Sequence, residues 1–106
     1  MKVRFGMYVW QEGLYFDAIK QYFADFESMG FHSAFVYDHF HPVYCPPEAP
    51  VIEGWVLLSA LATLTRKIRL GILVNCNSYR HPGLCSDSET KRNRQEDCSR
   101  LQHSCR

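Results

Sequence analysis

Polar side chains suited to chemistry stand directly after short apolar runs of the sequence. Trp10 and Gln11 follow the run VRFGMYV, and Asp38, His39 and His41 follow the run SAFVY. Two histidines separated by one residue have the spacing of paired metal ligands at a strand end, so a metal site is one interpretation of His39 and His41. A chance pair is the other, because no carboxylate-rich set of further ligands accompanies them. An isolated Asp38 at a strand end can equally be an ordinary turn cap.

A third polar cluster follows the apolar run IRLGILV. Its members are Asn75, Asn77, Tyr79, Arg80 and His81. The cluster is compatible with a binding loop, and equally with a plain loop that enters a third helix with Pro82 in its first turn. In the plain loop, Arg80 would only pair with a neighbouring acid. The choice between a binding loop and a plain loop depends on the strands and helices that position the cluster.

Strand-like and helix-like segments alternate along residues 1–84. The first helix is predicted from apolar residues at helical spacing, and Gly30 stands where a left-handed C-cap is expected. Four prolines between residues 42 and 50 exclude regular structure from the intervening loop. The predicted elements in chain order are strand Val3–Val9, helix Leu14–Met29, strand Ser33–Tyr37, helix Ile52–Thr65 and strand Ile68–Asn75.

The order β-α-β-α-β predicts a parallel sheet whose strands are joined by helical crossovers. Working residues of parallel α/β folds gather at the carboxyl ends of the strands, so we expect the three polar clusters to converge on one pocket. Such a sheet belongs to an open doubly wound fold or to a barrel. Two and a half βα units complete neither of them.

Three sequence motifs that would specify other chemistry are missing. The first strand is not followed by G-x-G-x-x-G, and the chain contains neither G-x-x-x-x-G-K-[ST] nor G-x-S-x-G. These absences argue against a dinucleotide-binding Rossmann start, a P-loop and the nucleophile elbow of α/β-hydrolases.

Composition and charge restrict the partners and the compartment. The net charge of +1 gives no electrostatic footprint for nucleic acid or for an anionic membrane. The longest apolar run, Trp55–Ala62, is too short to span a bilayer. Five cysteines at irregular positions fit free thiols in a reducing compartment. We therefore expect a cytoplasmic protein with a small-molecule substrate, no nucleic-acid partner and no membrane partner.

Two compositions divide the chain at residue 84. Residues 1–84 hold every Phe, Val, Ile, Tyr, Trp and Met, whereas residues 85–106 offer only Leu101 and three cysteines as apolar side chains. Such a segment cannot bury enough surface to order itself. Residues 1–84 are therefore predicted to be the folded part, and residues 85–106 a disordered or frameshifted polar tail.

Residues 2–84 resemble the luciferase-like monooxygenases, especially the branch that depends on the deazaflavin coenzyme F-420. The opening KVRFGMYVWQ is similar to that family's first strand, and FVYDHFHP at residues 35–42 resembles its second-strand motif. The segment EGW at residues 53–55, followed by LLSALATLTRKIRLGILVNCNSYRHPGL at residues 57–84, is similar to its second helix, third strand and next loop. The resemblance implies the first β-α-β-α-β portion of a (β/α)8 TIM-type barrel.

The resemblance also implies a cofactor and roles for individual residues. The cofactor would be F-420, with FMN as the alternative, and the reaction would be hydride transfer to or from an organic substrate. His39 would transfer a proton and Asp38 would make a polar contact to the cofactor ring. Leu73 and Val74 match the position of a bulge, often with a non-proline cis peptide, that backs one face of the ring. Asn75 stands where the family often has a small hydroxyl residue at the ring.

The resemblance stops at Leu84, where the family would continue into a further helix and strand. A shift of reading frame would explain the change, so a frameshifted fragment is one hypothesis. We then expect the 106-residue chain to be aggregation-prone and to show no turnover, whereas its full-length relatives would be homo-oligomeric oxidoreductases. The alternatives are a metal-dependent barrel hydrolase that uses His39 and His41, and a non-enzymatic product of a broken gene.

Overall fold

A computed structural model describes residues 3–76 and 78–81 of the chain. The chain divides after Val74 into two units, and the first unit contains all the helices and strands of the described residues. The elements are β1 (Gly6–Tyr8), α1 (Phe16–Ser28), β2 (Ser33–Val36), α2 (Gly54–Leu64) and β3 (Arg69–Ile72). The predicted order and type of these five elements are confirmed. The predicted tail and the predicted third helix at Pro82 lie outside the described residues.

The three strands form one parallel sheet in the order β1-β2-β3. Ala34 in the central strand pairs with Met7 of β1 and with Leu70 of β3. Single backbone hydrogen bonds extend the ladder beyond the strand ends, from Val9 to Phe35 at 2.8 Å and from Leu73 to Val36 at 2.8 Å. All three strands therefore run toward one edge of the sheet, which is called the carboxyl edge below.

The core lies between one face of the sheet and the two helices. Ile19 and Phe23 of α1 are spaced by one helical turn and are fully buried, as are Leu57 and Leu61 of α2. They pack with apolar side chains of the strands and their ends, namely Val9, Ala34, Val36 and Ile68. Burying each of the larger side chains stabilises the fold by about 1.5–3 kcal/mol. Because the buried residues recur at the helical period, each helix has an apolar face that packs against the sheet.

The opposite face of the sheet carries the ring of Phe35, whose side chain points away from the buried Ala34 and Val36. Glycines on both flanking strands make room for this ring. A Cβ added to Gly71 would lie 2.9 Å from Phe35 Cδ1, and one added to Gly6 would lie 3.2 Å from Phe35 Cε2. The Phe35 ring thus explains Gly71, whereas the atom nearest to a Cβ added at Gly6 would be Ser33 Oγ, at 2.5 Å.

Local signals set the ends of the helices. Helix α1 is followed by Gly30 with a φ of +81°, which confirms the predicted left-handed cap. Helix α2 begins two residues later than the predicted Ile52, because Glu53 is its N-cap. The Glu53 carboxylate accepts hydrogen bonds from the backbone of Trp55 and Val56 at 3.1 and 2.8 Å.

A second glutamate, Glu27, ties the end of α1 to the segment that leads into β3. Its Oε1 atom accepts hydrogen bonds from the backbone N–H groups of Arg66, Lys67 and Ile68 at 2.8, 2.5 and 3.0 Å. These hydrogen bonds lower the pKa of the Glu27 carboxyl below its ordinary value of 4.5. This anchor lies at the amino ends of the strands, away from the carboxyl edge.

Candidate functional site

The candidate site lies at the carboxyl edge, where the chain leaves β2. Asp38 is 1 % exposed, His39 is half-buried and His41 is exposed. The first residue of α2 closes over this strand end, since a Cβ added to Gly54 would lie 2.5 Å from the Tyr37 carbonyl oxygen. Backbone packing therefore fixes the position from which Asp38 and His39 extend.

An aromatic cluster joins the ends of β1 and β2. The ring of Tyr37 lies between Trp10 and His39, with centroid distances of 4.9 Å and 4.8 Å. The Trp10 ring also contacts Tyr44 at 5.1 Å and Tyr8 at 6.1 Å. The ends of β1 and β2 thus lie side by side and aromatic contacts link them, while a shared pocket for the three clusters stays a prediction.

Gln11 fastens the two strand ends to the segment that precedes α2. Its side chain is fully buried, its Nε2 donates to the Ile52 carbonyl at 2.6 Å, and its Oε1 accepts from the Tyr37 N–H at 3.2 Å. The amide of Gln11 therefore fixes the backbone at Tyr37, the residue whose ring lies beside His39.

Glu12 fastens the loop that follows β2. Its carboxylate is 5 % exposed and accepts hydrogen bonds from the backbone of Val43 at 2.7 Å, Tyr44 at 2.9 Å and Cys45 at 3.0 Å. Burial alone would raise the pKa of the Glu12 carboxyl. The three hydrogen bonds, with a further one from Trp10, outweigh burial and lower the pKa from 4.5 to about 2. Glu12 is therefore an anion at neutral pH and a structural one.

The hydroxyl of Tyr37 lies buried near this carboxylate. It has no hydrogen-bond partner of good geometry within the described residues, and the ring is 1 % exposed. Burial raises the pKa of Tyr37 above its ordinary value of 10.0, and the negative charge of Glu12 raises it further. Tyr37 is thus a neutral phenol and supports the site through its ring.

Leu73 and Val74 continue β3 at the same edge. Leu73 donates its N–H to the Val36 carbonyl at 2.8 Å, which places it beside the end of β2. Both side chains are exposed, at 50 % and 76 %, and the peptide bond between them is cis. The cis bond expected from the family resemblance is present, and an apolar surface stands next to the strand that bears Asp38 and His39.

The third predicted cluster begins the second unit and is described by itself. Asn75 is half-buried, and a turn follows it in which the Tyr79 N–H donates to the Cys76 carbonyl at 3.2 Å. Asn77 lies outside the described residues. The structure therefore brings together the first two clusters, and the contribution of Asn75 stays a prediction.

Two further features of the described residues concern metal ligands and membrane spans. Among the described residues, no group of three or more His, Cys, Asp or Glu side chains could hold a metal ion. In the same part of the chain, neither helix is long and apolar enough to cross a membrane.

Sequence reasoning missed the role of Glu12. Glu12 accepts hydrogen bonds from residues 31 to 33 positions later in the chain, and no local spacing predicts such bonds. The available signal was indirect: an acidic residue just after a strand, and a later loop whose N–H groups stand between prolines. Trp10 and Gln11 were placed correctly at the edge, but their ring and amide contacts were not foreseeable.

Comparison with known proteins agrees with this geometry. The sequence profile of the luciferase-like monooxygenases matches residues 3–86, and the chain belongs to this family. A similar solved structure is that of an F-420-dependent secondary alcohol dehydrogenase in complex with an F-420–acetone adduct, with 26 % identity and a TM-score of 0.64. The match covers 73 % of this chain and 23 % of that chain, so this chain spans about a quarter of that structure. No curated protein matches the chain.

These findings confirm the predicted family and fold class. The three-stranded parallel sheet with its two helices is a small α/β unit similar to part of a luciferase-like TIM barrel, and the family is one of oxidoreductases. The comparisons support a flavin-type or F-420 cofactor.

Proposed function

We propose that this chain supplies the first part of an F-420-dependent oxidoreductase site, in which hydride passes between the deazaflavin and a small organic substrate. The observation that carries the proposal is the carboxyl edge of β2. There a buried Asp38 and a half-buried His39 follow β2, and the exposed apolar pair Leu73 and Val74 follows β3, with the Leu73 N–H hydrogen-bonded to the Val36 carbonyl. The similarity to an F-420-dependent alcohol dehydrogenase supports the choice of cofactor over FMN.

The residues present fit such a cofactor. A flat tricyclic ring needs an apolar support for one face, and the exposed side chains of Leu73 and Val74 offer one. Asp38 supplies a polar contact at the ring edge, and Asn75 is proposed to add another from the following loop. When bound, the deazaflavin supplies the hydride chemistry, and the protein supplies binding, orientation and a proton.

His39 is the proposed proton-transfer residue. Imidazole is the side chain that gains and loses a proton near neutral pH, and such transfer commonly contributes about 10²–10⁴ in rate. The ring of His39 packs on Tyr37 at 4.8 Å, so its orientation is restricted while its remaining surface stays accessible. As a substrate alcohol is oxidised, a nitrogen of this imidazole would take the hydroxyl proton; in the reverse direction it would return it.

The charge of the site favours a neutral substrate. The loops after β1 and β2 bring in the carboxylates of Glu12 and Asp38, and residues 21–65 contain no lysine or arginine. An anionic substrate would meet repulsion without a counter-charge from this part of the chain. A neutral alcohol or carbonyl compound suits it better, and the aromatic rings of Trp10 and Tyr44 would contact its apolar part.

The remaining loops of a barrel site are proposed to come from further strands, so we expect the 106-residue chain alone to show no turnover. The test is a chimera in which residues 3–74 replace the matching segment of the F-420-dependent alcohol dehydrogenase. We expect the purified chimera to bind F-420 in preference to FMN in a fluorescence titration. Preference for FMN, or binding of neither, would contradict the proposal, as would turnover by the 106-residue chain.

A further inference from the structure

The loop segment 43–45 directs all of its backbone donors at one carboxylate. Pro42 and Pro46 flank the segment and have no N–H group, so its donors are those of Val43, Tyr44 and Cys45. All three donate to Glu12, the first to Oε1 and the other two to Oε2. Gly13 adds a hydrogen bond from its N–H to the Pro50 carbonyl at 2.9 Å. The end of β1 therefore determines where this loop lies.

The loop held in this way reaches His39 through aromatic contacts. Tyr44 is 79 % exposed, and its ring packs on Trp10 at 5.1 Å. Trp10 packs on Tyr37 at 4.9 Å, and Tyr37 packs on His39 at 4.8 Å. Each tilted ring restricts the next, so a displacement of the loop changes the surroundings of the imidazole.

We infer that Glu12 is a positioning residue for His39. Glu12 holds loop 43–45, and through this loop it holds the stack Tyr44–Trp10–Tyr37–His39. The inference rests on the proposed function only for the role of His39 in proton transfer, since the contacts stand without it. A carboxylate is required, because both oxygens accept hydrogen bonds. In Glu12→Gln, which has nearly the same shape, one acceptor becomes an NH₂ donor that faces N–H groups.

The chain contains a matched control at the other end of the sheet. Glu27 also binds three consecutive backbone N–H groups, those of residues 66–68, but it lies at the amino ends of the strands. All three bonds go to Oε1 of Glu27, so a glutamine would keep the acceptor; Glu27→Leu removes it without touching the aromatic stack. A general loss of stability would affect both variants alike, whereas positioning of His39 would be lost in Glu12→Gln alone.

The test is NMR on the 106-residue chain without cofactor, so its outcome does not depend on the proposed reaction. In Glu12→Gln, hydrogen exchange of amides 43–45 should accelerate by roughly tenfold or more, as expected when hydrogen bonds to a charged group are lost. The ring-proton resonances of His39 and the indole resonances of Trp10 should shift. In Glu27→Leu, exchange should accelerate at amides 66–68, and the resonances of His39 and Trp10 should stay unchanged.

Either of two results would overturn the inference. One is unchanged protection of amides 43–45 in Glu12→Gln, and the other is loss of that protection with His39 resonances that match the parent. A second variant covers the case in which Glu12→Gln does not fold. Tyr44→Ala keeps the three amide bonds to Glu12 but removes the exposed ring, so it should shift Trp10 and His39 while amides 43–45 stay protected. Unshifted His39 resonances in Tyr44→Ala would equally refute the proposed path.

Discussion

Replacing Gln11 with leucine should strongly destabilise the fold, although leucine has a similar size and is apolar. The Gln11 side chain is fully buried and bridges the Tyr37 N–H and the Ile52 carbonyl, at 3.2 Å and 2.6 Å. Leucine would leave both backbone groups without this partner. The structure therefore predicts that a polar residue is needed at this core position.

The expected magnitude follows from the burial of the two groups. The Tyr37 N–H is deeply buried, and leaving such a donor unsatisfied costs about 1–3 kcal/mol. Ile52 is half-buried and its carbonyl reaches water more easily, so its lost bond costs about 0.5–1.5 kcal/mol. Together the loss is about 1.5–4.5 kcal/mol. For a domain of this size, that corresponds to a decrease in Tm of roughly 6–36 °C.

The assay is urea unfolding of Gln11→Leu followed by circular dichroism, with a Tm measurement as a second readout. The matched control is Gln21→Leu on α1, where an exposed glutamine donates to Asp25 at 2.8 Å and contributes little. A free energy of unfolding for Gln11→Leu within about 0.5 kcal/mol of the parent would show that the bridge does not hold the strand ends together.

Three further expectations follow. Gly54→Ala should cost about 1–3 kcal/mol by urea unfolding, since its Cβ would lie 2.5 Å from the Tyr37 carbonyl oxygen; the exposed Ser59→Ala should cost much less. Glu12→Gln should flatten the acid side of the stability curve. The native-state pKa of Glu12 is lowered, so its contribution is present above pH 4.5 and is lost toward about pH 2; an unchanged curve would contradict this assignment. In the chimera, Trp10→Ala should raise KM for an apolar alcohol through lost substrate contact and lower kcat through the disturbed stack beside His39; an unchanged KM would contradict the substrate contact.

The fold was predictable from the sequence where one physical signal dominates. The helical spacing of Ile19 and Phe23, and the glycine at position 30, predicted α1 and its end. The strands were predicted too long, because their apolar runs continue past the residues that form the ladder. β3 was predicted to end at Asn75, but the regular ladder ends at Ile72 and the chain departs at the cis bond after Leu73.

For the site, only its location at the carboxyl edge could be predicted from the sequence. Chain order placed Trp10, Gln11 and Asp38 there, because parallel strands end together. The contacts of Gln11 and Glu12 depend on loops some 26 to 41 residues away, whose course follows from tertiary packing. The roles of Leu73 and Val74 were implied by the family resemblance, since no spacing in the chain distinguishes them from an ordinary strand end.

The proposed proton-transfer side of an F-420-dependent site is tested most directly by following deazaflavin reduction with a secondary alcohol in the chimera that carries residues 3–74. His39→Gln should lower kcat by about a hundredfold or more, as expected for loss of acid–base catalysis, while the exposed His41→Gln should retain the parent rate. Equal rates for the parent, His39→Gln and His41→Gln chimeras would contradict the assignment of His39 and with it the proposed site.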